Sequence, residues 1–215
     1  MKVQLENVLP GEIEKRSMQI IEAECTERGI TLDPETSPVV KRVIHTSADF
    51  DYAENLVFSN GAMQAGLDAL RSGAHIFTDT KMAWSGINKT ATGKLGCEAH
   101  CFISDEDVAK AAKENGTTRA VASMDKAAGM TDHAIFAIGN APTALIRLYE
   151  LIEDGLLHPS LVIGVPVGFV NVVESKELIL STDVPAIVAR GRKGGSNVAA
   201  CIVNALSYIA TGRTL

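Results

Sequence analysis

The chain has 215 residues, a formal net charge of −6, 46% hydrophobic and 21% charged residues. That is ordinary globular composition, long enough to bury a sizeable core, so one domain over residues 1–215 is expected. The acidic balance, with no Lys/Arg cluster, argues against nucleic acid as a partner, and no long uncharged apolar run marks a membrane span. The opening Met1-Lys2-Val3-Gln4-Leu5-Glu6 lacks the apolar core of a signal peptide. Four scattered cysteines do not suggest a disulfide scaffold. A cytoplasmic protein is expected.

Ile13, Met18, Ile20 and Ile21 predict a first helix to about Arg28, with Gly29 as its stop. Asp33 as cap and Pro34 at the first helical position predict a second, in which Val39, Val40, Val43 and Ile44 form the apolar stripe and His45 lies near the C-terminal end. The density of β-branched residues leaves a strand over 39–46 open. Further on, helix 62–71 ends at Gly73, strand 74–78 follows, then a short helix over 80–87. Strand 98–103 leads to a helix over 105–114 capped by Ser104, and 117–127 is helical. Strand 134–138, helix 142–153 opened by Pro142, strand 161–165, a helix around 172–180, strand 186–190 and helix 196–210 complete the pattern. Five strands alternating with helices predict an α/β fold: three layers, α/β/α, with a flavodoxin-like five-stranded parallel sheet and an N-terminal helical extension.

Each of the last three strands runs into a polar, Gly-containing loop: Ile138-Gly139-Asn140-Ala141-Pro142, then Gly164-Val165-Pro166-Val167-Gly168-Phe169-Val170 with Glu174-Ser175-Lys176 beyond it, then Arg190-Gly191-Arg192-Lys193-Gly194-Gly195-Ser196. Such loops gather at the carboxyl edge of a parallel sheet, where open α/β folds bind ligands. Glycine lets backbone approach a ligand, and helix N-termini favour anions.

These segments, in this order, resemble the precorrin isomerase family, the precorrin-8X methylmutases of cobalamin biosynthesis. Glu14-Lys15-Arg16-Ser17, Arg42-Val43-Ile44-His45, Phe58-Ser59, Asp79 with Met82 and Gly86, and Thr118-Arg119 extend the likeness over nearly the whole chain. The resemblance implies an isomerase that moves a methyl group from ring carbon 11 to carbon 12 of precorrin-8X or its cobalt-bearing counterpart. The product would be hydrogenobyrinate or cobyrinate. It implies no cofactor, since any cobalt arrives in the substrate, and a homodimer with shared active sites.

His45 matches the family's active-site histidine. An imidazole can give and recover a proton near neutral pH, and protonating the ring makes the migration terminus electron-poor. A hydrogen-bonded surface histidine at a helix end is the plainer alternative. Arg42, three residues earlier, shares a helical face with it and suits a substrate carboxylate. Ser17 matches a substrate contact. Arg119, near a helix N-terminus, suits another acidic arm. Asn140 is either a pocket group or a simple helix cap, and Gly168 either a pocket wall or a turn glycine. Lys176 is a further substrate-binding candidate, although lysines near helix ends are usually solvated. A polycarboxylate bound by an acidic protein needs a local basic or amide-lined pocket.

Cys97-x-x-His100-Cys101 resembles metal ligation, but a strand puts its cysteines on one side and His100 on the other, and no second ligand pair follows, so no metal site is expected. No dinucleotide, P-loop or nucleophile-elbow motif is present. The competing functions are a non-catalytic tetrapyrrole carrier and, from another class, a flavodoxin-like flavin protein. Turnover separates the first; a flavin spectrum would favour the second.

Overall fold

The structure, a computed structural model, describes residues 6–213; all but Glu6 of the opening segment 1–6, expected not to be a signal peptide, lies outside them. After a 3-10 turn at Pro10–Glu12, α1 (Ile13–Glu27) and α2 (Ser37–Ser47) pack together before the sheet begins. Gly29 ends α1 as expected: at φ +69° it lets its own N–H reach Thr26 O at 3.1 Å and the Ile30 N–H reach Cys25 O at 2.8 Å. α2 begins at Ser37 rather than Pro34, because residues 34–36 close a turn whose Asp33 carbonyl accepts from the Ser37 N–H at 2.8 Å. Its Val39, Val40, Val43 and Ile44 stripe is buried, which decides for helix over strand.

A short helix α3 (Tyr52–Asn55) leads into β1 (Leu56–Ser59), followed by α4 (Ala62–Arg71), β2 (His75–Thr78), α5 (Lys81–Gly86), α6 (Lys89–Lys94) and β3 (Ala99–His100). Then come α7 (Glu106–Glu114), α8 (Arg119–Ala128), β4 (Ala134–Ile138), α9 (Pro142–Glu153), β5 (Leu161–Gly164), α10 (Val172–Leu180), β6 (Ala186–Ala189) and α11 (Ser196–Ala210). Strand order is β1-β6-β5-β4-β2-β3.

The expected five-stranded, all-parallel sheet is therefore corrected to a mixed sheet of six strands. The five expected strands pair in parallel, and β1 adds to β6 antiparallel. β1 is four residues long, too short for period-2 alternation to announce it. Tertiary contacts fix it instead: the Asn60 side chain beyond its end donates to Thr182 O at 3.0 Å and Val184 O at 3.1 Å. β3 shrinks from six expected residues to two at the sheet edge, and α6 was not expected. Asp105, not Ser104, holds the position before α7.

In β4 every residue is buried. Ile135 and Ala137 face a core shared with α2, α4, α5 and α11; Phe136 and Ile138 face one shared with α8, α9 and α10. α11 lies sunk in the first layer, buried from Val198 to Val203 without a break. No helix among the described residues is long and apolar enough to cross a membrane.

Candidate active site

The chain leaves β2 for one flank of the sheet and later returns on the other flank as β4. A parallel sheet opens a crevice at such a reversal, outside its carboxyl edge. Asp79 stands there, directly after β2, 1% exposed. Its Oδ1 accepts the Gly139 N–H at 3.0 Å, and its Oδ2 accepts those of Asn140 at 2.8 Å and Ala141 at 2.7 Å. One carboxylate thus fixes the loop that leaves β4. Burial pushes its pKa up, against the pull of the three N–H donors.

The neighbouring loops are locked to one another by backbone. A Cβ on Gly139 would sit 2.6 Å from Ser196 Cα, and one on Gly194 would sit 2.1 Å from Val165 O, so both positions exclude any side chain. The Gly195 N–H donates to Val165 O at 2.8 Å and the Gly168 N–H to Arg192 O at 3.2 Å. Thr80 Oγ1 and Ser196 Oγ lie 2.7 Å apart, joining the end of β2 to the start of α11.

Lys176 is fully buried, against the expectation of a solvated lysine. Its ammonium donates to Gly191 O and Lys193 O, each at 2.8 Å, and so holds the loop after β6 from beneath. Burial lowers its pKa from 10.5 to about 8. Asn140 does not cap α9: that position belongs to Ala141, and the Asn140 side chain is exposed at the edge while its N–H is held by Asp79. Gly168 lies in the same rim at φ +146°, followed by Phe169 and Val170, which are 80% and 78% exposed. Arg119 is the exposed first residue of α8; beside it, Thr118 Oγ1 meets Thr143 Oγ1 of α9 at 3.2 Å.

His45 and Ser17 share a groove of about 300 Å³ between α1 and α2, walled by Ile20, Ile21, Arg28 and Phe50. His45 is exposed; Ser17 Oγ donates to Ile13 O at 2.9 Å. Arg42, though on the same helix, does not line this groove. Its guanidinium pairs with Glu14 and lies 4.9 Å above the Tyr208 ring, next to a separate cleft of about 360 Å³. The single turn between Arg42 and His45 is enough to send them to different surfaces, because α11 draws the arginine inward.

Two ion pairs bring the end of α2 to the sheet edge. Lys193, in the loop after β6, reaches Asp49 at 2.5 Å and Asp51 at 2.6 Å. His45 lies four residues before Asp49, one turn back along α2. Arg119, Asn140, Gly168 and Lys176 do not line its groove. Asp79, Lys193 and the Asp49/Asp51 pair were not singled out as site residues from the sequence. Asp79 carried a signal, a polar residue directly after a predicted strand; the Lys193 pairs span about 140 residues of sequence and carried none.

The sequence model of the precorrin-8X methylmutase family matches residues 12–209. A cobalt-precorrin-8 methylmutase of Priestia megaterium is 47% identical over 94% of this chain and 89% of its own length. One of Salmonella typhimurium is 51% identical over 79% and 80%. A precorrin-8X methylmutase of Pseudomonas aeruginosa is 39% identical over 91% and 93%. The crystallised precorrin-8X methylmutase of Thermus thermophilus superposes with a TM-score of 0.85 at 40% identity, covering 94% of this chain and 98% of that one.

Proposed function

The chain belongs to the precorrin-8X methylmutase family, and from that premise we propose that it moves the methyl group from carbon 11 to carbon 12 of precorrin-8X or cobalt-precorrin-8. The reaction is an isomerisation in cobalamin biosynthesis. The carrying observation is the family match over residues 12–209, which spans the α1–α2 pair and every carboxyl-edge loop. His45, exposed at the end of α2, supplies the proton that makes the migration terminus electron-poor and takes it back afterwards. Arg119, exposed at the first position of α8, offers local anion binding on an acidic protein. Ser17 completes the His45 groove. Lys176 acts by holding a loop, since its donors already serve two carbonyls. No cofactor is needed, and any cobalt belongs to the substrate.

The relatives at 47% and 51% identity are named for cobalt-precorrin-8, the one at 39% for precorrin-8X, which favours the cobalt-bearing substrate. Incubation with each substrate, followed by visible absorption, tests both points. Spectral conversion is expected, faster with cobalt-precorrin-8. Stoichiometric binding without turnover would replace the enzyme by a carrier.

A homodimer with shared sites is part of the same proposal. The exposed Val167, Phe169 and Val170 at the rim form the kind of apolar surface a second copy covers. Light scattering decides: a mass near 22.8 kDa sinks the dimer.

A further inference from the structure

His75 opens β2, and Glu98 and His100 belong to the neighbouring edge segment around β3. The parallel register aligns Ile76 with Ala99 and Phe77 with His100. Side chains two apart on a strand share a face, so His75, Glu98 and His100 converge. A donor atom from each lies within 4.8 Å of the other two. His75 Nδ1 and His100 Nε2 are 2.8 Å apart, and His100 Nε2 is 3.9 Å from a Glu98 carboxylate oxygen. The His100 ring is stacked at 5.1 Å on His75, 5.3 Å on Phe77 and 5.9 Å on Phe102, which fixes the ring directions before any ligand arrives.

We propose that His75, Glu98 and His100 form a divalent-cation site, best suited to zinc, at the amino edge of the sheet. Two imidazole nitrogens and one carboxylate oxygen are a common zinc donor set, and a water fills the fourth position. In the ion-free pair one ring N–H donates a hydrogen bond to the nitrogen of the other. When the ion binds, that proton moves to the distal nitrogen of its own ring, so both lone pairs point at the metal. Zinc–nitrogen bonds of about 2.0–2.1 Å in a tetrahedron set the two nitrogens about 3.3 Å apart, an opening of roughly half an ångström from the present contact. Glu98 is 72% exposed along its side chain and free to swing in. The consequence is a clamp on β3, a two-residue edge strand with few ladder hydrogen bonds of its own. The site lies about 13 Å along β2 from Asp79, four residues at about 3.3 Å each, so it stands apart from the chemistry of the carboxyl edge. The cysteines of the Cys97-x-x-His100-Cys101 segment take no part; the histidine finds its partners across the strand pair instead.

Calorimetric titration of the full, metal-stripped chain with zinc tests the site, with cobalt(II) as an optical probe of geometry. Saturable binding of one zinc per chain is expected, with intense visible cobalt bands of tetrahedral coordination and a rise in thermal midpoint on zinc addition. His100→Gln and His75→Ala should each weaken zinc binding at least tenfold and bleach the cobalt bands. Glu98→Gln, a substitution at an exposed position that leaves folding intact, should weaken it several-fold. His158→Ala, an exposed histidine elsewhere, should change nothing. Absence of saturable binding at micromolar zinc, or binding unmoved by Glu98→Gln and His100→Gln together, would overturn the proposal.

Discussion

The carboxyl edge and the α1–α2 pair hold their functional groups by opposite means. At the edge, position is set by backbone: a buried aspartate takes three N–H groups, a buried lysine gives to two carbonyls, and two glycines exclude any Cβ. Along α1 and α2, His45 is exposed and Arg42 largely buried, and the surface carries ion pairs such as Arg16–Glu6, Lys41–Glu22 and Arg28–Glu24. Exposed pairs contribute little stability each. The comparison teaches that the carboxyl edge is fixed by backbone contacts, whereas His45 projects to solvent from a helix whose apolar stripe is sunk in the core. Mutations should accordingly separate activity from stability on the α1–α2 arm and damage both at the edge.

The largest expected effect is on rate. His45→Ala should lower turnover roughly 10²–10⁴-fold, the usual worth of a general acid–base group, with an unchanged denaturation midpoint because the side chain is exposed. Comparable turnover in the variant would remove His45 from the mechanism. At the edge, Asp79→Ala leaves three N–H groups without their acceptor. At about 1–3 kcal/mol for each unsatisfied donor, urea denaturation should show a loss of roughly 3 kcal/mol or more. Activity should fall with it, and a variant of unaltered stability would show that water replaces the carboxylate.

Lys176 gives the comparison a pH axis. Its folded pKa near 8 lies below the ordinary 10.5, so between these values the unfolded chain binds more protons than the folded one. Stability from this group therefore rises with pH from about 8 to 10.5, by up to about 1.4 kcal/mol per unit. Denaturation midpoints at pH 7.5 and 9.5 should show that rise in the wild type and a smaller one in Lys176→Met. Equal pH dependence in both would mean that the ammonium stays charged among its carbonyls. The smallest effect belongs to the arm: Lys41→Ala, which removes the pair with Glu22, should cost less than about 1 kcal/mol and should shrink further at high salt. A larger loss would show that the arm is as firmly built as the edge.

Much of the architecture follows from local pattern. Apolar runs such as Ala134–Ile138 and Leu161–Gly164, each ending at a glycine-bearing loop, mark buried strands before any contact is known. Gly29 and Pro142 mark helix boundaries by their own backbone chemistry. His45, Arg119, Asn140 and Gly168 were legible as candidates because each follows or ends a recognisable element and matches a family segment. What the sequence could not settle depends on residues far apart in the chain. β1 exists because β6 and Asn60 hold it; Arg42 is turned from His45 because Glu14 and Tyr208 take its guanidinium. Lys176 reads as a solvated helix lysine until the loop after β6 folds over it. His100 reads as part of a cysteine motif until β2 sets His75 beside it. Periodicity and turn chemistry act over a few residues, so the sequence alone determined most of the helices, the five strands of the sheet's parallel core and the loops that edge it, but not α3, β1 or α6. Burial, pairing and ionisation are set by neighbours that only the folded chain supplies, so the tertiary structure alone decided which of those side chains face solvent and which hold the molecule together.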